Sequence, residues 1–171
     1  MVLPAAHDAI TAALIERAGF RICFMSGFAV SATQIASPDM GLISYGEMLD
    51  CGRRICEAAG SVCVVGDGDT GYGNAGNIRR TIEGYARAGF AGITIEDQCY
   101  PKRCSYARGV VVVSRAHAVA RVAAAVAARD EMRAATGLDL VIVARTDCRN
   151  ASSIESEGEA KRVGSFLYWN V

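Results

Sequence analysis

The chain alternates between short β-branched apolar runs and longer segments whose apolar positions recur every three or four residues. Runs of the first kind read as buried strands, and segments of the second kind as amphipathic helices. Strands are predicted over residues 1–4, 21–25, 62–66, 92–96 and 140–144, and helices over 9–18, 47–59, 77–88 and 115–136. One more helix is expected over 150–163. Asp8 caps the first helix and Gly19 closes it. Ser44 and Glu47 make a capping box for the second, and Ser114 caps the long alanine-rich one. A looser segment follows Ser26-Gly27-Phe28, with a turn at Pro38-Asp39, and residues 97–109 form a polar connection. Strands alternating with helices in this way imply an α/β fold with a parallel sheet.

The most informative stretch runs from residue 64 to residue 104. An apolar run ends in Asp67 and Asp69, a helix follows, and a second buried run ends in Glu96. In a strand, i, i+2 spacing puts Asp67 and Asp69 on one side. This is a βαβ unit with its polar groups gathered where the strands finish, the edge at which open α/β sheets and (β/α) barrels place their chemistry.

Composition narrows the class. At 171 residues and 51% hydrophobic, the chain can bury one core. Its formal net charge is zero and no basic run appears, so neither nucleic acid nor an anionic membrane is an expected partner. No apolar run reaches the roughly 18 residues of a membrane span, and the N-terminus shows no signal peptide. Seven cysteines, odd in number and without a CxxC pair, argue against a disulfide framework or a thiolate zinc site and for an intracellular reducing compartment. With only His7 and His117 present, a histidine-rich metal site or a Ser-His-Asp triad is not expected.

Each candidate motif has a plainer alternative. Gly66-Asp67-Gly68-Asp69-Thr70-Gly71 matches GxGxxG after a strand, but two carboxylates would sit where a pyrophosphate must approach. An EF-hand loop fails because Tyr72 takes its glycine position and Ile78 its bidentate glutamate position. Asp67, Asp69 and Glu96 then read either as oxygen ligands of a partly hydrated Mg²⁺ or Mn²⁺, or as acidic turn and cap residues. Cys104, beside Lys102 and Arg103 in a polar loop, is either a reactive or proton-shuttling thiol or an ordinary small residue. Arg145 is either a structural ion pair or a bidentate clamp for a substrate carboxylate.

Six motifs occur in a fixed order: Met25-Ser26-Gly27-Phe28-Ala29-Val30-Ser31-Ala32, Pro38-Asp39-Met40-Gly41, the Gly66 to Asn74 run, Ile95-Glu96-Asp97-Gln98, Pro101-Lys102-Arg103-Cys104 and Ala144-Arg145-Thr146-Asp147. Together they resemble the isocitrate lyase/phosphoenolpyruvate mutase superfamily. The plant-type branch of petal death protein and carboxyvinyl-carboxyphosphonate phosphorylmutase-like enzymes is nearest, with methylisocitrate lyase further off. The resemblance implies a (β/α)₈ barrel, a homo-tetramer for the full-length family, Mg²⁺ (or Mn²⁺), and retro-aldol cleavage of a 2-hydroxy di- or tricarboxylate. Carried over by residue, it implies that Asp69 binds the metal directly and that Asp67 and Glu96 support it through water. Ser26 and Gly27 hold the oxo-acid part of the small carboxylate substrate, flanked by Phe24 and Phe28, and Asp39 lies at the pocket edge. Arg145 pairs with a carboxylate, Lys102 belongs to the catalytic loop, and Cys104 is the general acid.

Oxaloacetate hydrolysis, phosphonate chemistry and an inactive fragment that associates with a longer paralogue are the rival readings. Two departures from the family pattern stand out. Ser105-Tyr106 replaces Gly-His after the cysteine, which narrows backbone freedom and removes a side chain that changes charge near neutral pH. Only five of eight barrel strands are expected: residues 1–163 read as a truncated barrel, and residues 164–171 as an unrelated, artefactual tail.

Overall fold

The computed structural model describes residues 2–154. Its elements are β1 (Ala5–Ala6), α1 (Ala9–Arg17), β2 (Ile22–Met25), α2 (Gly27–Ile35), α3 (Tyr45–Ala58), β3 (Cys63–Asp67), α4 (Ala75–Arg87), β4 (Gly92–Glu96), β5 (Val110–Val112), α5 (Arg115–Thr136), β6 (Val141–Arg145) and β7 (Ala151–Ile154). One parallel sheet runs in the order β1-β2-β3-β4-β6, and β5 pairs with β7 separately. Because the crossovers are helical and every main-sheet pairing is parallel, the strand ends all finish at one edge. The register there sets Met25 opposite Gly66, Asp67 opposite Thr94 and Glu96 opposite Arg145.

The caps form where the side-chain chemistry places them. Asp8 accepts from the Thr11 amide, Ser44 and Glu47 close a reciprocal box, and Ser114 accepts from the His117 amide. Asn74 adds a box with Asn77, so α4 begins two residues earlier than its apolar pattern suggests. Met25, Ile93 and Ile142 from the strands share one buried cluster with Met48, Ile55, Ile82 and Tyr85 from the helices. Gly66 leaves room for two rings packed on the sheet. A Cβ there would lie 2.6 Å from Phe90 and 2.7 Å from Tyr85, whose rings stack at 4.5 Å.

Three expectations change. The looser segment after Ser26 is helix α2, whose glycine start and β-branched residues weaken its local signal. The first strand is Ala5–Ala6 rather than 1–4, because pairing with Phe24 and Met25 selects those residues. The helix expected over 150–163 is replaced at its start by β7, which is held by a long-range pairing to Val110–Val112 within the residues read as loop and flank. Residues 155–163, and the proposed tail 164–171, lie outside the described residues.

Candidate active site

β3 ends at Asp67, and the chain then turns sharply through Gly68, Asp69, Thr70 and Gly71. Asp69 has φ of 47°, a left-handed conformation. It is therefore not a strand residue sharing a face with Asp67, and the i, i+2 argument gives way to turn geometry. The turn is tied to the next strand: the Gly68 amide donates to the Thr94 carbonyl at 3.0 Å, and the Glu96 amide donates to the Asp69 carbonyl at 2.9 Å. Those bonds bring Asp69 beside Glu96.

Asp67 is well supplied with donors. It accepts from the Gly27 amide at 3.3 Å, the Asp69 amide at 3.4 Å and the Thr94 hydroxyl at 3.3 Å. The Gly27 contact puts this carboxylate at the start of α2, where the helix dipole favours negative charge. It also explains the glycine, since a Cβ at Gly27 would lie 3.0 Å from the Asp67 oxygen. Ser26 is the N-cap of α2 and accepts from the Ala29 amide at 3.3 Å. Phe24 is half-buried in β2, and Phe28 is 57% exposed.

Lys102 is buried, and its Nζ lies 2.6 Å from Asp39 Oδ1 and 2.9 Å from Asp69 Oδ1. Asp39 is thus a buried member of the cluster. Its turn approaches closely: Gly41, with φ of 68°, would place a Cβ 3.0 Å from the Lys102 amide nitrogen. Arg145 ends β6. Its Nη1 lies 3.3 Å from Glu96 Oε2 and 4.0 Å from Asp67 Oδ1. Its Nε and Nη2 donate to the two oxygens of Asp147 at 3.1 and 3.2 Å. The bidentate edge of the guanidinium is therefore engaged by Asp147, which leaves Nη1 as the part turned to the acidic cluster. Cys104 stands half-buried two residues beyond Lys102, its carbonyl accepting from the Ala107 amide at 2.8 Å.

Four buried carboxylates (Asp39, Asp67, Asp69 and Glu96) thus face two cations, Lys102 and Arg145. Burial and the neighbouring charge of Asp67 push Asp69 up to about 7, against the opposing pull of Lys102. Burial likewise raises Glu96 well above the usual carboxylate range; Arg145 pulls it back, and Asp67 and Asp69 push it further up. Burial works against the charged forms of Lys102 and Arg145, but the surrounding carboxylates outweigh it and raise both. Both Glu96 side-chain oxygens are buried without a hydrogen bond, although Oε2 has the Arg145 ion pair.

The donor chemistry suits a hard divalent cation. All the surplus groups are carboxylates, and they outnumber the two cations even before Asp147, the partner of the Arg145 fork, is counted. Among the described residues, no three His, Cys, Asp or Glu side chains stand together as a ready-made cage.

The phosphoenolpyruvate phosphomutase family profile matches residues 1–165. The chain belongs to that family. It is 43% identical to a 2,3-dimethylmalate lyase of Eubacterium barkeri over 91% of this chain and 51% of the relative. It is 40% identical to the petal death protein of Dianthus caryophyllus over 91% of this chain and 47% of that one. Among solved structures, a 2,3-dimethylmalate lyase described as a PEP mutase/isocitrate lyase superfamily member aligns with a TM-score of 0.82 and 33% identity, over 93% of this chain and 50% of that chain. A phosphonopyruvate hydrolase in complex with oxalate and Mg²⁺ aligns with a TM-score of 0.71 and 30% identity, over 89% and 56%. The chain spans about half the length of the curated relatives it matches. Its α/β fold, with five parallel strands in sequence order, is part of the family's (β/α)₈ barrel.

Sequence reasoning missed several residues that surround this strand-end cluster. Buried Gln98, Asp97 and Asp147 and half-buried Thr146 form a hydrogen-bonded set beside Arg145: Asp97 accepts from the Thr146 hydroxyl at 2.6 Å and the Asp147 amide at 2.9 Å. Arg121 of α5 is buried and donates to the carbonyls of Glu96 at 2.6 Å and Gln98 at 2.9 Å. The Asp97-Gln98 and Thr146-Asp147 pairs lay within the quoted motifs, at strand ends, and that position was the available signal. Arg121 carried none, as one arginine among several on a long helix. No helix among the described residues is long and apolar enough to cross a membrane.

Proposed function

We propose that this chain carries the metal and substrate half of a magnesium-dependent carbon–carbon lyase that cleaves a 2-hydroxy di- or tricarboxylate, of the 2-alkylmalate or methylisocitrate type, by retro-aldol chemistry. The observation behind this reading is the excess of buried carboxylates (Asp39, Asp67, Asp69 and Glu96) over the cations Lys102 and Arg145 at the strand-end edge. Asp69 would hold the magnesium directly, with Asp67 and Glu96 reached through water, and the ion would supply positive charge to the 2-oxygen as it becomes the carbonyl of the oxo acid. Asp67, already held by three hydrogen bonds, suits a supporting role.

Gly27 and Ser26, at the start of α2, would orient the oxo-acid end, with Phe24 and Phe28 beside it. Arg145 offers Nη1 to a substrate carboxylate while Asp147 keeps the guanidinium plane fixed. As the 2-hydroxyl gives up its proton to a base at the acidic edge and its oxygen becomes the carbonyl of the oxo acid, the carbon–carbon bond would break with its electron pair on the departing carbon, and the Cys104 thiol would deliver a proton there. Lys102, buried between Asp39 and Asp69, holds the loop bearing that thiol against the acidic cluster.

The test is turnover of 2,3-dimethylmalate and methylisocitrate with magnesium, before and after Cys104→Ala. The substitution is expected to lower kcat by about 10²–10⁴-fold, the usual reach of general acid catalysis. Unchanged turnover would remove Cys104 from the mechanism. Absence of any turnover in the unsubstituted chain, with co-purification of a longer homologue, would favour the inactive-fragment reading.

A further inference from the structure

Gln98 is 1% exposed, and both polar atoms of its side-chain amide are engaged. Its Nε2 donates to the Arg103 carbonyl at 3.0 Å and to Asp147 Oδ2 at 2.7 Å, and its Oε1 accepts from the Arg103 amide at 3.0 Å. The two bonds to Arg103 imitate a strand pairing, made by a side chain to one loop residue. That residue lies between Lys102 and Cys104. The Gln98 backbone is itself anchored, through the Arg121 bond to its carbonyl and a bridge to Val112. On the other side, Asp147 is oriented by Asp97 and paired with both Nε and Nη2 of Arg145. A continuous polar chain therefore runs from the loop through Gln98 and Asp147 to Arg145 and on to Glu96.

We infer that Gln98 is a positioning residue: it sets the height of the Lys102–Cys104 loop over the acidic cluster and couples that loop to Arg145 through Asp147. A glutamine kept only to fill the core would have no need of both polar groups of a single loop residue. The catalytic consequence rests on the lyase reading, whereas the mechanical link stands on the hydrogen bonds alone. Losing the amide frees the Arg103 carbonyl, the group that trypsin must reach to cut after Arg103.

The experiment is site-resolved trypsin cleavage of the full chain, read by mass spectrometry, in wild type, Gln98→Ala, Gln98→Glu, Asp147→Asn and the Gln98→Ala/Asp147→Asn double variant. Cleavage after Arg103 is expected to rise about tenfold in both Gln98 variants, because proteolysis follows the population of the locally open loop. Cleavage after Arg133, on exposed α5 surface, should stay unchanged. Glu at 98 keeps an acceptor for the Arg103 amide but has no N–H for the carbonyl or for Asp147, so it should not rescue. The Asp147→Asn effect should be largely absorbed in the double variant, as coupled partners require.

If Gln98→Ala does not fold, Gln98→Met keeps the volume without the hydrogen bonds and takes its place. Unchanged Arg103 cleavage, or an equal rise at Arg133, would overturn the positioning role; independent multiplication of the two effects would overturn the coupling to Arg145. With magnesium and 2,3-dimethylmalate, Gln98→Ala should lower kcat while KM stays nearly constant, and a change confined to KM counts against the inference. An inactive wild type would sink the lyase reading, while the cleavage pattern would still decide the role of Gln98.

Discussion

Asp69 concentrates the electrostatics of the site. It is buried, next to Asp67 and paired with Lys102, and its pKa is pushed up to about 7 from an ordinary 3.8. A carboxyl whose folded-state pKa is raised keeps its proton after the unfolded chain has released one. Between about pH 4 and pH 7 the folded state therefore binds more protons, and stability falls as pH rises through that window. The metal-free chain is expected to lose urea resistance over this range relative to Asp69→Asn, which has no such titration. Parallel pH curves for the two proteins would mean that Asp69 ionises as readily folded as unfolded. Under the proposed magnesium role of Asp69, the ion should reverse the loss above the window, because a ligand that takes only the ionised carboxylate adds its binding free energy to folding.

At the scale of elements, the long helix α5 does more than cover the sheet. Its Arg121 reaches the ends of β4 and donates to the Glu96 and Gln98 carbonyls, so one side chain ties the helix to the strand end that carries the site. Arg121→Met keeps much of the packing but strips those carbonyls of a charged donor, at an expected cost of about 3 kcal/mol measured by urea denaturation. A loss below about 0.5 kcal/mol, the range of ordinary surface changes, would show that the arginine is dispensable. The elements themselves were largely legible. Helix α5 and strand β4 stand at the predicted residues because Ser114 and the short β-branched run around Ile93 and Ile95 are strong local signals. Helix α2 and the β5–β7 pair were not, since one has weak propensity and the other exists only through pairing between residues about forty positions apart.

For the molecule as a whole, the sheet order leaves β6 paired on one side only among the described residues. Val141 on that strand is 51% exposed. An apolar, unpaired edge is a template for association with another strand. Val141→Lys is expected to reduce self-association of this chain, seen as a lower light-scattering mass at high concentration with an unchanged circular dichroism spectrum. If the scattering is the same in both, association does not pass through this edge.

The residues alone determined the alternation of strand and helix, the caps at Asp8, Ser44 and Ser114, and the gathering of Asp67, Glu96 and Arg145 at strand ends. These follow from local propensity and from the period of the apolar pattern, which act over a few residues. The tertiary structure alone decided that Asp69 turns away from strand geometry, that Lys102 is shared with Asp39, that the Arg145 fork is engaged by Asp147, and that Gln98 grips the loop. Each of these joins side chains brought together by parallel pairing across helical crossovers, and such a partner has no local signature. Chemistry at the edge could be read along the chain, but the division of labour among the edge residues depended on which strands became neighbours.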